Sequence, residues 1–244
     1  MPPTPPLPWR AEIWLRMRRH FLIKLIGTSL FTWVFFLGYF HLLRFPQQAP
    51  LVMPLTPLDA LIPFQPAMLL PYLTLWFYVG IAPGLQRRFD ELVVYGLWAA
   101  ALCGVGLACF YLWPTAVPPL RIDVSAMAGF DLLEGVDASG NACPSMHVAI
   151  AIFTAIRLEQ VLRDTGVPWP WRALNAAWFL VIAWSTLAIR QHVVIDVAAG
   201  GLLGALFAAA SLRWRPAPGV AGTPRAPARR PVDIIDRSPK DAAP

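Results

Sequence analysis

Two short stretches carry residue types that can do nucleophilic chemistry: Cys143-Pro144-Ser145-Met146-His147 and Arg190-Gln191-His192-Val193-Val194-Ile195-Asp196. On a helix, His192 and Asp196 stand four apart and share a face, so the carboxylate can hold one imidazole nitrogen while the other points outward. That is the arrangement of an activated histidine nucleophile. His147 supplies a second imidazole, able to protonate a leaving group. The plainer readings are a purely structural His192-Asp196 pair and an interfacial His147.

Each stretch opens a long apolar run, so the elements that must position these residues are membrane helices. The chain is 57% hydrophobic and 14% charged, with a mean hydropathy of +0.54. Soluble domains run nearer about 45 to 50% apolar and about 25% charged. The composition therefore describes an all-α polytopic membrane bundle. A net charge of +6 would suit a nucleic-acid partner, but the cations cluster at the edges of apolar runs, where topology explains them better. The three cysteines make no disulfide framework, although a Cys109 to Cys143 bridge is conceivable. No spacing of Cys and His resembles a zinc site.

Six spans follow from hydropathy: about Phe21 to Leu43, Ala67 to Leu85, Leu92 to Trp113, Ser145 to Leu162, Ala173 to Ile189 and His192 to Leu212. Residues 1–20 form a Pro-rich, then basic, N-terminal segment, 21–213 the six-helix domain, and 214–244 a tail whose Pro, Ala and Arg composition predicts disorder. The connection from Arg44 to Gln65 is broken by prolines, with a short helix expected near Leu58 to Ile62. Gly200 and Gly204 give the last span a small-x3-small face for close packing. Alternating the spans puts all but Arg44, Arg121 and Arg190 of the 20 lysines and arginines on one side. By the positive-inside rule both termini are cytoplasmic. His147, His192, Asp196, Arg121 and Arg190 then share the outer face, which is periplasmic in a bacterial inner membrane and extracellular otherwise.

The same residues carry a family resemblance. Pro144-Ser145-Met146-His147, followed by Ser185, His192 and Asp196 in a Ser-x6-His-x3-Asp box, resembles the second and third signatures of the type 2 phosphatidic acid phosphatase superfamily. The wording Ser-Met-His-Val-Ala and Gln-His-Val-Val-Ile-Asp-Val-Ala-Ala-Gly resembles its inositol phosphorylceramide synthase-like branch. Pro63-Phe64-Gln65-Pro66 and Pro71-Tyr72 extend the likeness over roughly residues 55 to 205. The resemblance implies that His147 is the acid, that His192 forms a phosphohistidine and that Asp196 supports it. Two departures stand out: Thr186 replaces the Arg that usually follows the third-box Ser, and a Lys-x6-Arg-Pro first box is absent. In its place stands the Pro-rich stretch from Trp113 to Arg121.

A phosphate ester is anionic, so an enzyme acting on it needs cationic clamps, an in-line nucleophile and a proton for the departing alkoxide. Arg121 and Arg190 are the candidate clamps, with Ser145, Ser185 and the N–H groups opening the fourth span as further donors. The implied activity is hydrolysis of a membrane lipid phosphate or pyrophosphate, with no metal and no cofactor. One alternative is transfer of a lipid headgroup phosphate to a second alcohol. Another is a non-catalytic transporter or scaffold that keeps the fold. A metal bound by His147, His192 and Asp196 is the last, and it predicts loss of activity to chelators.

Overall fold

The computed structural model describes residues 7–119 and 140–214. Of these, 74% are helical and 3% strand, so the all-α expectation holds. Helix α1 (Trp9–Arg18) opens the chain and a left-handed residue, His20, separates it from α2 (Phe21–Arg44). That first helix lies in the N-terminal segment, whose Pro-rich, then basic, composition does not announce it. Glu12 holds it together by pairing with Arg16 one turn on, at 2.8 Å, and ties it to Arg87 at 3.3 Å. Lys24 completes the junction by donating to the carbonyls of Arg16 (2.6 Å) and Gly84 (2.8 Å).

The Pro-rich connection holds the short helix α3 (Pro57–Leu61), where Thr56 caps the first turn. Next come a 3-10 turn at Pro66–Met68, α4 (Leu69–Leu73) and α5 (Leu75–Gly84). The second expected span is therefore interrupted at Thr74, whose hydroxyl donates to the carbonyl of Pro71 at 2.6 Å. Helix α6 (Phe89–Leu112) follows, and then α7 (Met146–Asp164), α8 (Trp169–Ala188) and α9 (Val194–Arg213).

Among the described residues, four segments are long and apolar enough to cross a membrane: Phe21–Arg44, Pro66–Gly84, Phe89–Leu112 and Val194–Arg213. Helices α7 and α8 have 19 and 20 residues. Helix α7 is the centre of the bundle, packed on α5, α8 and α9, and neighbouring protein covers much of its surface. A helix so enclosed needs less apolar surface than one facing lipid, which is why α7 carries Arg157, Glu159, Arg163 and Asp164. Polar side chains stitch the core: Tyr78 donates to Asn175 Oδ1 at 2.7 Å, and Asn175 donates to the Ala155 carbonyl at 3.0 Å. Such bonds join helices that the hydrophobic effect does not drive together in lipid.

Two close approaches set the position of α9. A Cβ at Gly200 would run into the Ser145 carbonyl oxygen, and one at Gly204 into that of Ala149. The small-x3-small expectation is met, with α7 as the partner. At the same end, two-residue strands β1 (Leu51–Val52) and β2 (Thr115–Ala116) pair in parallel. Ala116 also bridges to Gly140, and Thr115 accepts the Cys143 N–H on its hydroxyl at 2.8 Å. This small ribbon delivers the chain into the peptide before α7. Cys103, Cys109 and Cys143 are free thiols, so the conceivable Cys109 to Cys143 bridge is absent.

Candidate active site

The start of α7, the end of α8 and the start of α9 meet at one end of the bundle. Asp196 occupies the third position of α9, where unpaired N–H groups favour a carboxylate. Its Oδ1 accepts from the N–H of Val193 at 2.7 Å and of Val197 at 3.1 Å. That leaves Oδ2 for His192 Nδ1, 2.9 Å away. Asp196 is 0% exposed and His192 7%. The carboxylate is thus held at both oxygens, and the imidazole presents Nε2 as its other nitrogen; the expected pair forms, but His192 precedes α9 and reaches Asp196 across the extended Val193 cap instead of along one helical face.

His147 reaches the same place from α7, its ring centroid 5.7 Å from that of His192. Its face stacks on Tyr72 at 4.6 Å, and Trp76 meets its edge at 6.0 Å. Helices α4 and α5 therefore fix the second imidazole, a contribution that Pro71-Tyr72 signalled only as a resemblance. Ser145 links the two sides: its N–H donates to the Asp196 carbonyl at 2.9 Å, and its hydroxyl caps α7 by accepting from Val148 at 3.3 Å.

A family model described as the PAP2 superfamily matches residues 58–210. The chain belongs to the PAP2 superfamily. Membership supports phosphatase- or phosphotransferase-type chemistry, and the matched stretch contains His147, Ser185, Arg190, His192 and Asp196. No curated protein and no solved structure matches the chain significantly.

The remaining candidates of this superfamily member fall in different places. Arg121 lies outside the described residues. Arg190 closes α8: it is left-handed (φ 61°), with its own N–H bonded to Leu187 O and the Gln191 N–H to Thr186 O, both at 3.0 Å. This is a Schellman end with arginine where glycine is usual. The left-handed backbone costs roughly 1 to 2 kcal/mol, offset by a guanidinium that donates to the carbonyls of Asp59 (2.9 Å) and Ile62 (2.6 Å). Two of its five N–H donors are so used among the described residues. Ser185 is fully buried, with its hydroxyl on the Ile182 carbonyl at 2.6 Å. In this arrangement Ser145 and Ser185 hold helices, and both hydroxyls have protein partners. Among the described residues, no three His, Cys, Asp or Glu side chains gather as a metal-ligand set.

Asp59 is the residue that sequence reasoning missed. Its Oδ1 accepts the Val194 N–H at 2.8 Å, and Oδ2 accepts from the Thr56 N–H (2.7 Å) and hydroxyl (2.6 Å). Thr56-Pro57-Leu58-Asp59 is legible as a capping box, but its grip on α9 is not. Burial alone would raise the Asp59 pKa. The bonds from Thr56 and Val194 and the Arg190 charge outweigh it and hold the carboxyl below its ordinary value. A depressed folded pKa contributes stability that is present above the unfolded value of about 3.9 and is lost as pH falls through the folded one. Asp59→Asn should therefore lower stability by about 2 kcal/mol. In thermal melts the deficit should be constant from neutral pH down to about pH 5 and shrink below about pH 4.

Proposed function

We propose that this protein is a membrane-embedded lipid phosphatase that hydrolyses a lipid phosphate or pyrophosphate through a phosphohistidine on His192. The observation that carries the reading is the fixed His192-Asp196 pair with His147 beside it at one end of the bundle. His192 Nε2 attacks phosphorus, the bond from phosphorus to the lipid oxygen breaks, and His147 gives its proton to that oxygen. Water then attacks the phosphohistidine, His147 takes the water proton, and inorganic phosphate leaves. Asp196 keeps Nδ1 protonated and stabilises the ring as it gains positive charge. Arg190, Arg121 and the N–H groups opening α7 neutralise the phosphoryl oxygens. In this reading α7 and α8 also span the membrane, giving six spans with both termini cytoplasmic and the site facing outward. The basic segment 1–20 and the tail 214–244 flank the catalytic domain on the cytoplasmic side.

The acid role of His147 has a specific signature. His147→Ala should lower the rate of His192 phosphorylation by an alkyl phosphate by about 10² to 10⁴, yet barely change the burst of p-nitrophenol from p-nitrophenyl phosphate, whose leaving group needs no proton and whose release precedes the step in which His147 acts as base. Equal losses on both esters would reject the role. Adding an alcohol to a labelled phospholipid then separates the outcomes. Free phosphate without acceptor supports the phosphatase, and a new phospholipid made only with acceptor replaces it by a phosphotransferase of the inositol phosphorylceramide synthase type. Unchanged lipid in every arm favours a transporter or scaffold.

A further inference from the structure

A cavity of about 590 Å³ lies between α2, α5 and α6, with Met146 and His147 at one end and Ile23 and Lys24 at the other. Along α2 its lining runs from Ile23 to Tyr39, about 24 Å at 1.5 Å per residue. That is most of a bilayer's hydrocarbon thickness of about 30 Å. Its walls are mainly apolar, Phe31, Phe35 and Val79 among them. At the far end the Lys24 ammonium is already committed to the Arg16 and Gly84 carbonyls, so the cavity receives the stem of that side chain.

Two glycines near that far end have no packing reason to be glycine. Gly27 and Gly96 line the cavity, and a Cβ added at either would meet nothing within 4 Å. At Gly106, Gly200 and Gly204 a Cβ would collide with a neighbour. Glycine inside a helix costs about 0.5 to 1 kcal/mol relative to alanine. At Gly27 and Gly96 that cost leaves room, and the room is continuous with the imidazole at the other end.

We propose that the cavity takes the single long apolar chain of a phosphate ester whose phosphate sits between His147 and His192, and that Gly27 and Gly96 set the longest chain accepted. The inference rests on the lipid phosphatase reading and adds to it the number and path of the chains. A site so built accepts a monoalkyl or polyprenyl phosphate in preference to a two-chain phospholipid, because the cavity that the described residues open beside His147 is a single track.

The test compares octyl and octadecyl phosphate in detergent. Gly96→Trp and Gly27→Leu should each lower kcat/KM for octadecyl phosphate about tenfold or more relative to wild type, with octyl phosphate turned over as before. Equal losses on both chains, or none on either, would overturn the ruler. Octyl phosphate turnover and its loss in His192→Ala report on the catalytic site separately, so failure there is told apart from failure of the groove. Chain placement has its own readout, independent of turnover: octadecyl phosphate bearing a terminal diazirine should crosslink to wild-type peptides covering 23–28 or 92–96. Crosslinks confined to α8 or α9 would overturn the proposal even if the variants lose activity by misfolding.

Discussion

His192→Ala is expected to abolish phosphate release and covalent labelling together. In the proposed mechanism Nε2 of this ring bonds to phosphorus, and its partner nitrogen is held at 2.9 Å by a fully buried carboxylate. Truncation removes the nucleophile and leaves Asp196 with a free oxygen facing the void. The His147 ring lies 5.7 Å away centroid to centroid, stacked on Tyr72 at 4.6 Å. Acid-stable labels do not report a phosphohistidine, so the trapped adduct should be read under alkaline quench with a labelled phosphate ester. Wild type should label, His147→Ala should label when the ester is p-nitrophenyl phosphate, and His192→Ala should not label with any ester. Asp196→Asn should retain a fraction of the rate, because it keeps shape while losing the charge that stabilises the ring. If His192→Ala turns over lipid phosphates as wild type does, the chain is not a phosphatase of this kind.

What could be read from the sequence was local. His192 and Asp196 are four residues apart, so their pairing needed no knowledge of the fold, although His192 stands just before α9 and not on it. The Gly200 and Gly204 face was legible for the same reason, as was α3, where Thr56 and Asp59 announce a cap. Long-range partners were not legible. Asp59 bonds Val194 and Arg190 bonds the α3 carbonyls, each across a separation of more than 120 residues. Nothing in the composition of either segment names the other. Arg190 has a role that its type does not announce: an arginine at a helix end reads as a cation for phosphate or for the interface, and here it also fills the left-handed position that glycine ordinarily marks. Interruption of the second span at Thr74 was hidden because hydropathy averages over a break that leaves side chains apolar. The Tyr72 stack on His147 depends on how α4 leans against α7, which periodicity alone does not specify.

Gly200→Ala should cost activity out of proportion to its size. One methyl placed there would overlap the Ser145 carbonyl oxygen, and backbone cannot swing aside as a flexible side chain can. Helix α9 must then retreat from α7. Asp196 rides on the first turn of α9, and its carbonyl accepts the Ser145 N–H at 2.9 Å, so the same retreat pulls the His192-Asp196 pair away from His147. A misplacement of about 1 Å at reacting groups is enough to cost about 10²-fold in rate, and overpacking at a rigid contact costs about 1 to 3 kcal/mol of stability. Gly201 is the matched control on the next position of the same helix. A Cβ there meets only Val148 Cγ1 at 3.9 Å, an ordinary contact. Gly201→Ala should keep full activity and, by its better helix propensity, gain up to about 1 kcal/mol. Measured side by side in detergent, the two alanines separate a helix-crossing effect from a general intolerance of this helix to substitution. Should Gly200→Ala melt and turn over like Gly201→Ala, α7 and α9 do not cross this closely, and the two histidines are not held together by that crossing.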